Sequence, residues 1–265
     1  MNILETIVAQ KKKEVAVLKT ERSIAVLQQM PFYNKQTRSL KQYLLDPVKT
    51  GIIAEFKRKS PSKGIINNHS TVEAVTSAYA TNGASGLSVL TDTQFFGGNM
   101  QDLIDTTIQT IPILRKDFMV DEYQLIEAKA YGADVVLLIA ACLSPLQVRT
   151  MAQTAKQLGL EVLLEIHNEE ELEHICDEVN LVGVNNRNLK NFEVSIDISL
   201  QLVKQIPLNK PAIAESGINN VDTIVTLQNA GFKGFLIGER FMKELDPSIA
   251  FANFVTQLKE RQHAG

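Results

Sequence analysis

The feature that most limits how this chain can fold is a repeated alternation. Short apolar runs occupy residues 52–56, 86–91, 111–115, 134–139, 161–166, 181–185, 212–215 and 234–237, at intervals of roughly 20 to 35 residues. Runs this short, apolar at successive positions, are the pattern of strands buried on both faces. Segments with helical periodicity lie between them, among them residues 71–82, 121–131, 144–158, 169–178 and 221–229. Gly83, Gly132, Gly159 and Gly231 fall just after four of these segments, where a helix end favours glycine. Strand then helix, eight times over, predicts an α/β chain closed into a (β/α)8 barrel. A doubly wound open sheet could use the same strands, but no Gly-x-Gly-x-x-Gly follows the first of them.

The first 50 residues carry no strand signal. Residues 2–20 read as an amphipathic helix with Leu4, Ile7, Val8, Val15 and Leu18 near one face and lysines opposite. A second helical piece covers 23–30 and stops at Pro31; a third covers 40–45, before Asp46-Pro47. The expectation is one domain over residues 1–265, a helical extension (1–50) packed on a barrel (51–265). Such barrels need about 250 residues.

Composition narrows the function. A chain 45 % hydrophobic and 22 % charged can fill a core of that size. A net charge of -3 argues against a general nucleic-acid binder, and no apolar run is long enough to span a membrane. The N-terminus lacks the apolar core of a signal peptide, and Cys142 and Cys176 have no metal-type spacing and read as reduced core residues. A soluble cytoplasmic protein is expected.

In barrels of this type chemistry sits at the C-terminal ends of the strands. The first run passes into Glu55 and then Lys57, and because side chains alternate along a strand these two leave one face. The second run ends in Thr91-Asp92, the third in Arg115-Lys116-Asp117, the fifth at Glu165, the sixth at Asn185 with Arg187 beyond it, and the seventh at Glu215-Ser216-Gly217. Each alone could be a solvated rim charge. Together they would gather like charges at one mouth, an arrangement with little use unless a ligand is bound there. Ser216-Gly217, and Gly238 before a short helical stretch at 239–243, offer backbone N–H groups to an anion such as phosphate. Tight-turn glycines would look the same. The histidines suggest no metal cluster: His69 and His263 read as exposed and His174 as helical. His167 is expected to point away from Glu165 or to mark the next helix start.

Set side by side, these residues resemble the indole-3-glycerol phosphate synthase family over essentially the whole chain. The motifs that carry the resemblance are Ala54-Glu55-Phe56-Lys57-Arg58-Lys59-Ser60-Pro61-Ser62, Ser88-Val89-Leu90-Thr91-Asp92 and Leu114-Arg115-Lys116-Asp117-Phe118. Leu164-Glu165-Ile166-His167, Gly183-Val184-Asn185-Asn186-Arg187-Asn188-Leu189 and Ala214-Glu215-Ser216-Gly217-Ile218 complete it. The resemblance implies ring closure of 1-(2-carboxyphenylamino)-1-deoxyribulose 5-phosphate with loss of carbon dioxide and water, without cofactor or metal. It implies Lys116 as general acid, with Glu165 and the pair Glu55–Lys57 as candidates for the dehydration. Asn185 and Arg187 would orient substrate oxygens, and Glu215 and Ser216 would complete the polar ring. Lys57, Ser60, Gly217, Gly238 and Glu239 would hold phosphate, and Phe96, Phe118 and Leu189 would wall the anthranilate ring. The chain stops after the eighth helical segment, so it is expected to be monofunctional, with no fused isomerase, and a monomer.

Two departures stand out. Some members carry serine after Gly238; Glu239 cannot donate that bond, so only its backbone N–H could serve, with the side chain turned away. The family's Thr-Glu after the second strand is Thr91-Asp92 here. The rival readings are another phosphate-binding barrel enzyme, an isomerase or a Schiff-base aldolase using Lys57 or Lys116, and a catalytically silent barrel that keeps a ligand pocket.

Overall fold

The computed structural model describes residues 2–187 and 193–263. Eight parallel strands close into a barrel: β1 (Ile52–Phe56), β2 (Gly86–Leu90), β3 (Ile113–Lys116), β4 (Val135–Ile139), β5 (Glu161–Ile166), β6 (Leu181–Asn185), β7 (Ala212–Glu215) and β8 (Gly234–Ile237). Each strand pairs with its neighbours in sequence, and β1 closes the ring on β8 with Ile53 opposite Leu236. The expected alternation is therefore a barrel. β3 begins two residues later than the pattern suggests because Pro112 has no N–H to give the ladder.

Twelve α-helices are described: α1 (Ile3–Glu21), α2 (Ile24–Gln28), α3 (Leu40–Leu45), α4 (Val72–Thr81), α5 (Thr93–Phe96), α6 (Met100–Thr106), α7 (Tyr123–Ala130), α8 (Pro145–Gln157), α9 (Asp197–Leu202), α10 (Val221–Ala230), α11 (Glu239–Met242) and α12 (Pro247–His263). Their starts follow local chemistry. Asn2 and Glu5 form a reciprocal capping box on α1, and Ser144 and Gln147 do the same on α8, where Pro145 takes the first turn. The helix expected over 169–178 is instead a single 3₁₀ turn, Glu170–His174. Glu169 and Glu173 would repel at i,i+4, and Ile175 has already turned extended.

Two layers form the core. Outward residues of the strands, such as Ala54, Val89, Val136, Leu164, Val184 and Phe235, pack under the helices. Inward residues form a second cluster of Ile53, Leu114, Val135, Leu137, Leu163, Leu181, Ile213 and Leu236. Leu40 and Leu44, one turn apart on α3, join this inner cluster and plug the end where the strands begin. Gly86 and Gly234 open β2 and β8 against that plug: a Cβ there would lie 2.7 Å from Leu40 Cδ1 and 3.1 Å from Leu44 Cδ1. Burying each leucine contributes about 1.5–3 kcal/mol.

The same inward columns carry the polar groups at the other end. Going up one face, Ile53 is followed by Glu55, Leu114 by Lys116, Leu163 by Glu165, Gly183 by Asn185, and Ile213 by Glu215. The period of two thus converts an apolar barrel floor into a charged rim.

Candidate active site

At that rim a cavity of about 770 Å³ opens, a size suited to a small organic ligand. Glu55, Lys57, Ser60, Phe96, Lys116, Phe118, Glu165, Asn185, Arg187, Glu215, Ser216, Gly217, Gly238 and Glu239 all line it. Leu189 lies outside the described residues. The sequence pattern missed the apolar floor and lid. Leu137, Ile139 and Leu236 supply the floor, legible as inward column positions, and Ile3, Leu4 and Ile7 of α1 reach over from the apolar helix face.

Lys116 is the centre of the charge arrangement. Its Nζ donates to Glu215 Oε2 at 3.0 Å and to Glu165 Oε2 at 3.2 Å. Burial opposes its charge, but Glu215, Glu165 and Glu55 outweigh that and raise its pKa above the ordinary lysine value. The two carboxylates differ. Burial favours the neutral form of Glu165, yet Lys116, His167 and a hydrogen bond from Asn185 Nδ2 (3.0 Å) hold its pKa well below the usual range. Burial raises Glu215, Lys116 offsets part of this, and the charges of Glu165 and Glu55 leave it pushed up to about 7.

Glu55 and Lys57 do share a face: Lys57 Nζ donates to Glu55 Oε1 at 2.7 Å. Glu55 fits there because residue 238 is glycine. A Cβ on Gly238 would sit 2.5 Å from Glu55 Oε1. Beyond Lys57 the chain makes an unforeseen hairpin, Lys59–Ser60 against Gly64–Ile65, that places Ser60 at the cavity. Arg58 turns the other way, onto both oxygens of Asp102.

Ser216 has φ +65°, the one non-glycine residue with positive φ among those described. Such strain persists only where neighbours fix it. Buried Asn186 does so: its Nδ2 donates to Ser216 O at 2.9 Å and its N–H to Glu215 O at 2.9 Å. Arg187 Nη2 lies 3.5 Å from Glu239 Oε2, so the Glu239 carboxylate turns toward Arg187. Phe96 and Phe118 pack with ring centroids 6.0 Å apart.

Not every strand-end polar group faces the cavity. Arg115 points outward, bonding Thr91, Asp117 and the carbonyl of Gln124 and pairing with Glu127. Asp92 caps α5 and pairs with Lys11 at 2.9 Å. That lysine corrects the reading of α1. Lys11 sits on its buried face between Ile7 and Val15, its Nζ also 3.1 Å from Asp117 Oδ1, and is 5 % exposed. Lysine lies there because two buried carboxylates need a cation.

His167 is the second correction. It turns toward Glu165, Nε2 3.1 Å from Oε1, because positions i and i+2 continue one face of an extended chain. The cysteines are both free, and among the described residues no three His, Cys, Asp or Glu side chains are grouped as a metal site requires.

A closed parallel barrel with acidic and basic side chains paired over a cavity at its C-terminal rim defines a protein of the (β/α)8 enzyme class. Solved structures agree on the fold. Tryptophan synthase subunit alpha from Legionella pneumophila superposes with TM-score 0.62 at 12 % identity, over 85 % of this chain and 97 % of that one. Thiamine phosphate pyrophosphorylase from Pyrococcus furiosus gives 0.59 at 16 % identity, over 84 % and 98 %. Residues 4–254 match the family model for indole-3-glycerol phosphate synthase, and the chain belongs to that family of carbon–carbon lyases serving tryptophan biosynthesis. The enzyme of that name from Bacteroides thetaiotaomicron is 44 % identical over 97 % of this chain and 99 % of its own length. Those from Bordetella pertussis and Chromobacterium violaceum are 39 % and 42 % identical, over 96 % and 95 % of this chain and 99 % and 97 % of theirs. Among the described residues no helix is long and apolar enough to cross a membrane.

Proposed function

We propose that the rim residues close the indole ring of 1-(2-carboxyphenylamino)-1-deoxyribulose 5-phosphate by general acid–base catalysis, with Lys116 as the first acid. The observation that carries this reading is the Lys116 ammonium held between Glu165 and Glu215. The ring carbon bearing the carboxylate attacks the ketone carbon, and the carbonyl oxygen takes a proton from Lys116. Carbon dioxide then leaves, its bonding pair restoring the aromatic ring. Glu165, the more strongly ionised carboxylate, removes a proton from the carbon beside the nitrogen. Lys57, steadied by Glu55, protonates the departing hydroxyl as water. Two protons are given and one is taken, which matches the loss of a carboxylate as neutral carbon dioxide.

The substrate's two ends suit different arcs of the rim. Phe96 and Phe118, after β2 and β3, form an apolar wall for the anthranilate ring. Across the barrel, Ser60, Lys57 and the backbone of Gly217, Gly238 and Glu239 hold the phosphate. Asn185, Arg187 and Ser216 orient the intervening oxygens, and Glu215 anchors Lys116. On this reading the chain works as a monomer in the cytoplasm, folded as one domain with Ile3, Leu4 and Ile7 of its N-terminal helix over the cavity. Incubation of the purified protein with this substrate should give indole fluorescence. A borohydride-trapped lysine adduct in place of that signal would sink the reading in favour of an aldolase.

A further inference from the structure

His167 takes part in none of the steps above, yet it is built in with care. Its ring stands between two carboxylates: Nε2 is 3.1 Å from Glu165 Oε1, and Nδ1 is 3.2 Å from Glu171 Oε2. The backbone N–H of His167 donates to that same Glu171 oxygen at 2.7 Å. Glu171 is fixed in turn by Asn168, whose Nδ2 donates to its Oε1 at 3.1 Å and whose Oδ1 accepts from its N–H at 3.1 Å. The His167 side chain is 10 % exposed. A neutral imidazole carries one N–H and no charge, whereas the imidazolium sets a positive charge within 3.2 Å of both carboxylates. Burial opposes that cation, but Glu165 and Glu171 override it and push the pKa up to about 10.

The consequence lies at Lys116, where one ammonium faces two carboxylates with Glu55 close by. On its front Lys116 meets Glu165 and Glu215 alike, and the Glu55 charge weighs on Glu215; the rest of their difference comes from the groups behind them. Glu165 Oε1 accepts a hydrogen bond from the Asn185 amide and has the His167 ring 3.1 Å away as an ion-pair contact, without hydrogen-bond geometry at Nε2. Glu215 Oε1 has no hydrogen-bond partner and rests against Gly183. The remaining groups near the histidine do not alter this. Cys142 is kept a neutral thiol by burial and by Glu165 and Glu171, and His174 has both ring nitrogens against the carbonyls of Glu171 and Leu143.

We propose that His167, clamped by Glu171, is a positioning residue that selects Glu165 rather than Glu215 as the ionised base beside Lys116. This deepens the reading of Glu165 as the dehydration base and rests on it.

The test combines titration with kinetics. The chain has four histidines, so a ¹⁵N-histidine spectrum resolves individual rings, and the signal absent from His167→Gln is His167. In the unmodified protein that ring should remain imidazolium from about pH 6 to about pH 9. His167→Gln keeps a donor but loses the charge, so Glu165 should become harder to ionise. The acid limb of kcat should move up by about one pH unit or more, costing about tenfold below the new limb and less than about threefold on the plateau. Glu171→Gln should shift the limb the same way by less. A folded His167→Gln with an unmoved limb and a uniform loss overturns the proposal, and so does a neutral His167 at about pH 7. If His167→Gln does not fold, the signal is assigned by its shift in Glu171→Gln and the titration alone decides. Full turnover by Glu165→Gln would remove the base assignment itself. Lost turnover there, beside an unmoved limb in His167→Gln, would keep the base and remove only the role of the histidine.

Discussion

Gly183 and Glu215 meet across the β6–β7 pair so closely that a Cβ on residue 183 would lie 2.2 Å from Glu215 Oε1. The missing side chain on one strand is what lets a carboxylate on the next stand upright toward Lys116. Gly183→Ala should therefore keep the barrel but tilt Glu215 off Lys116. Overpacking of this kind costs about 1–3 kcal/mol. Turnover should fall by about tenfold or more while the far-ultraviolet circular dichroism stays unchanged. Wild-type turnover would mean that the placement of Glu215 has no bearing on the chemistry.

Lys116→Ala removes the cation shared by two buried carboxylates and the proposed proton donor. Loss of a general acid costs about two to four decades in turnover. The lower part of the barrel does not depend on Lys116, since its inner cluster is apolar. Single-turnover indole fluorescence with a folded variant measures the loss, and near-normal turnover would take Lys116 out of the mechanism.

Glu215 makes stability depend on pH in a stated direction. Its pKa in the folded chain is about 7, above an ordinary 4.5. A group raised on folding contributes stability that is fully present below its unfolded value and is lost as pH climbs through the folded one. Between about pH 5 and about pH 8 the wild type should thus lose on the order of 3 kcal/mol on this account. Glu215→Gln cannot ionise and should flatten that slope. Chemical denaturation of both proteins across the range checks it, and parallel curves would contradict the assignment.

What was legible in the sequence was whatever a period of two could reach. Ile53 to Glu55, Leu114 to Lys116 and Leu163 to Glu165 are apolar-then-charged steps along one chain, and the rim follows from them once the strands close. The same rule places His167 beside Glu165, just as it places Lys57 beside Glu55, so that contact was readable too. The reason residues 183 and 238 must be glycine was not, because each makes room for a carboxylate from another strand, although Gly238 itself was readable as a site residue. Lys11 was hidden for the same reason: helix periodicity shows that position 11 lies with Ile7 and Val15, but only Asp92 and Asp117 explain a lysine there. The tight turn after β5 was lost to a helical-looking acidic stretch whose like charges oppose a longer helix.

Lys11 links the N-terminal helix to the chemistry through that buried network. It pairs with Asp92, which accepts from the N–H groups of Phe95 and Phe96, and with Asp117, the residue after Lys116. Arg115 and Thr91 complete the set by bonding Asp117 Oδ2 at 3.2 and 2.6 Å. Lys11→Met keeps the aliphatic bulk and deletes the charge, leaving two buried carboxylates with one cation fewer. Removing one partner of a buried pair costs about 3–5 kcal/mol. For a chain of this size that is a fall in melting temperature of about 6–15 °C. Adding Asp92→Asn to Lys11→Met should recover part of it, with a coupling energy of about 1 kcal/mol or more. Additive losses would mean that the ion pair does not hold α1 to the rim. A melting temperature within about 1 °C of wild type would mean that Lys11 is not buried against it.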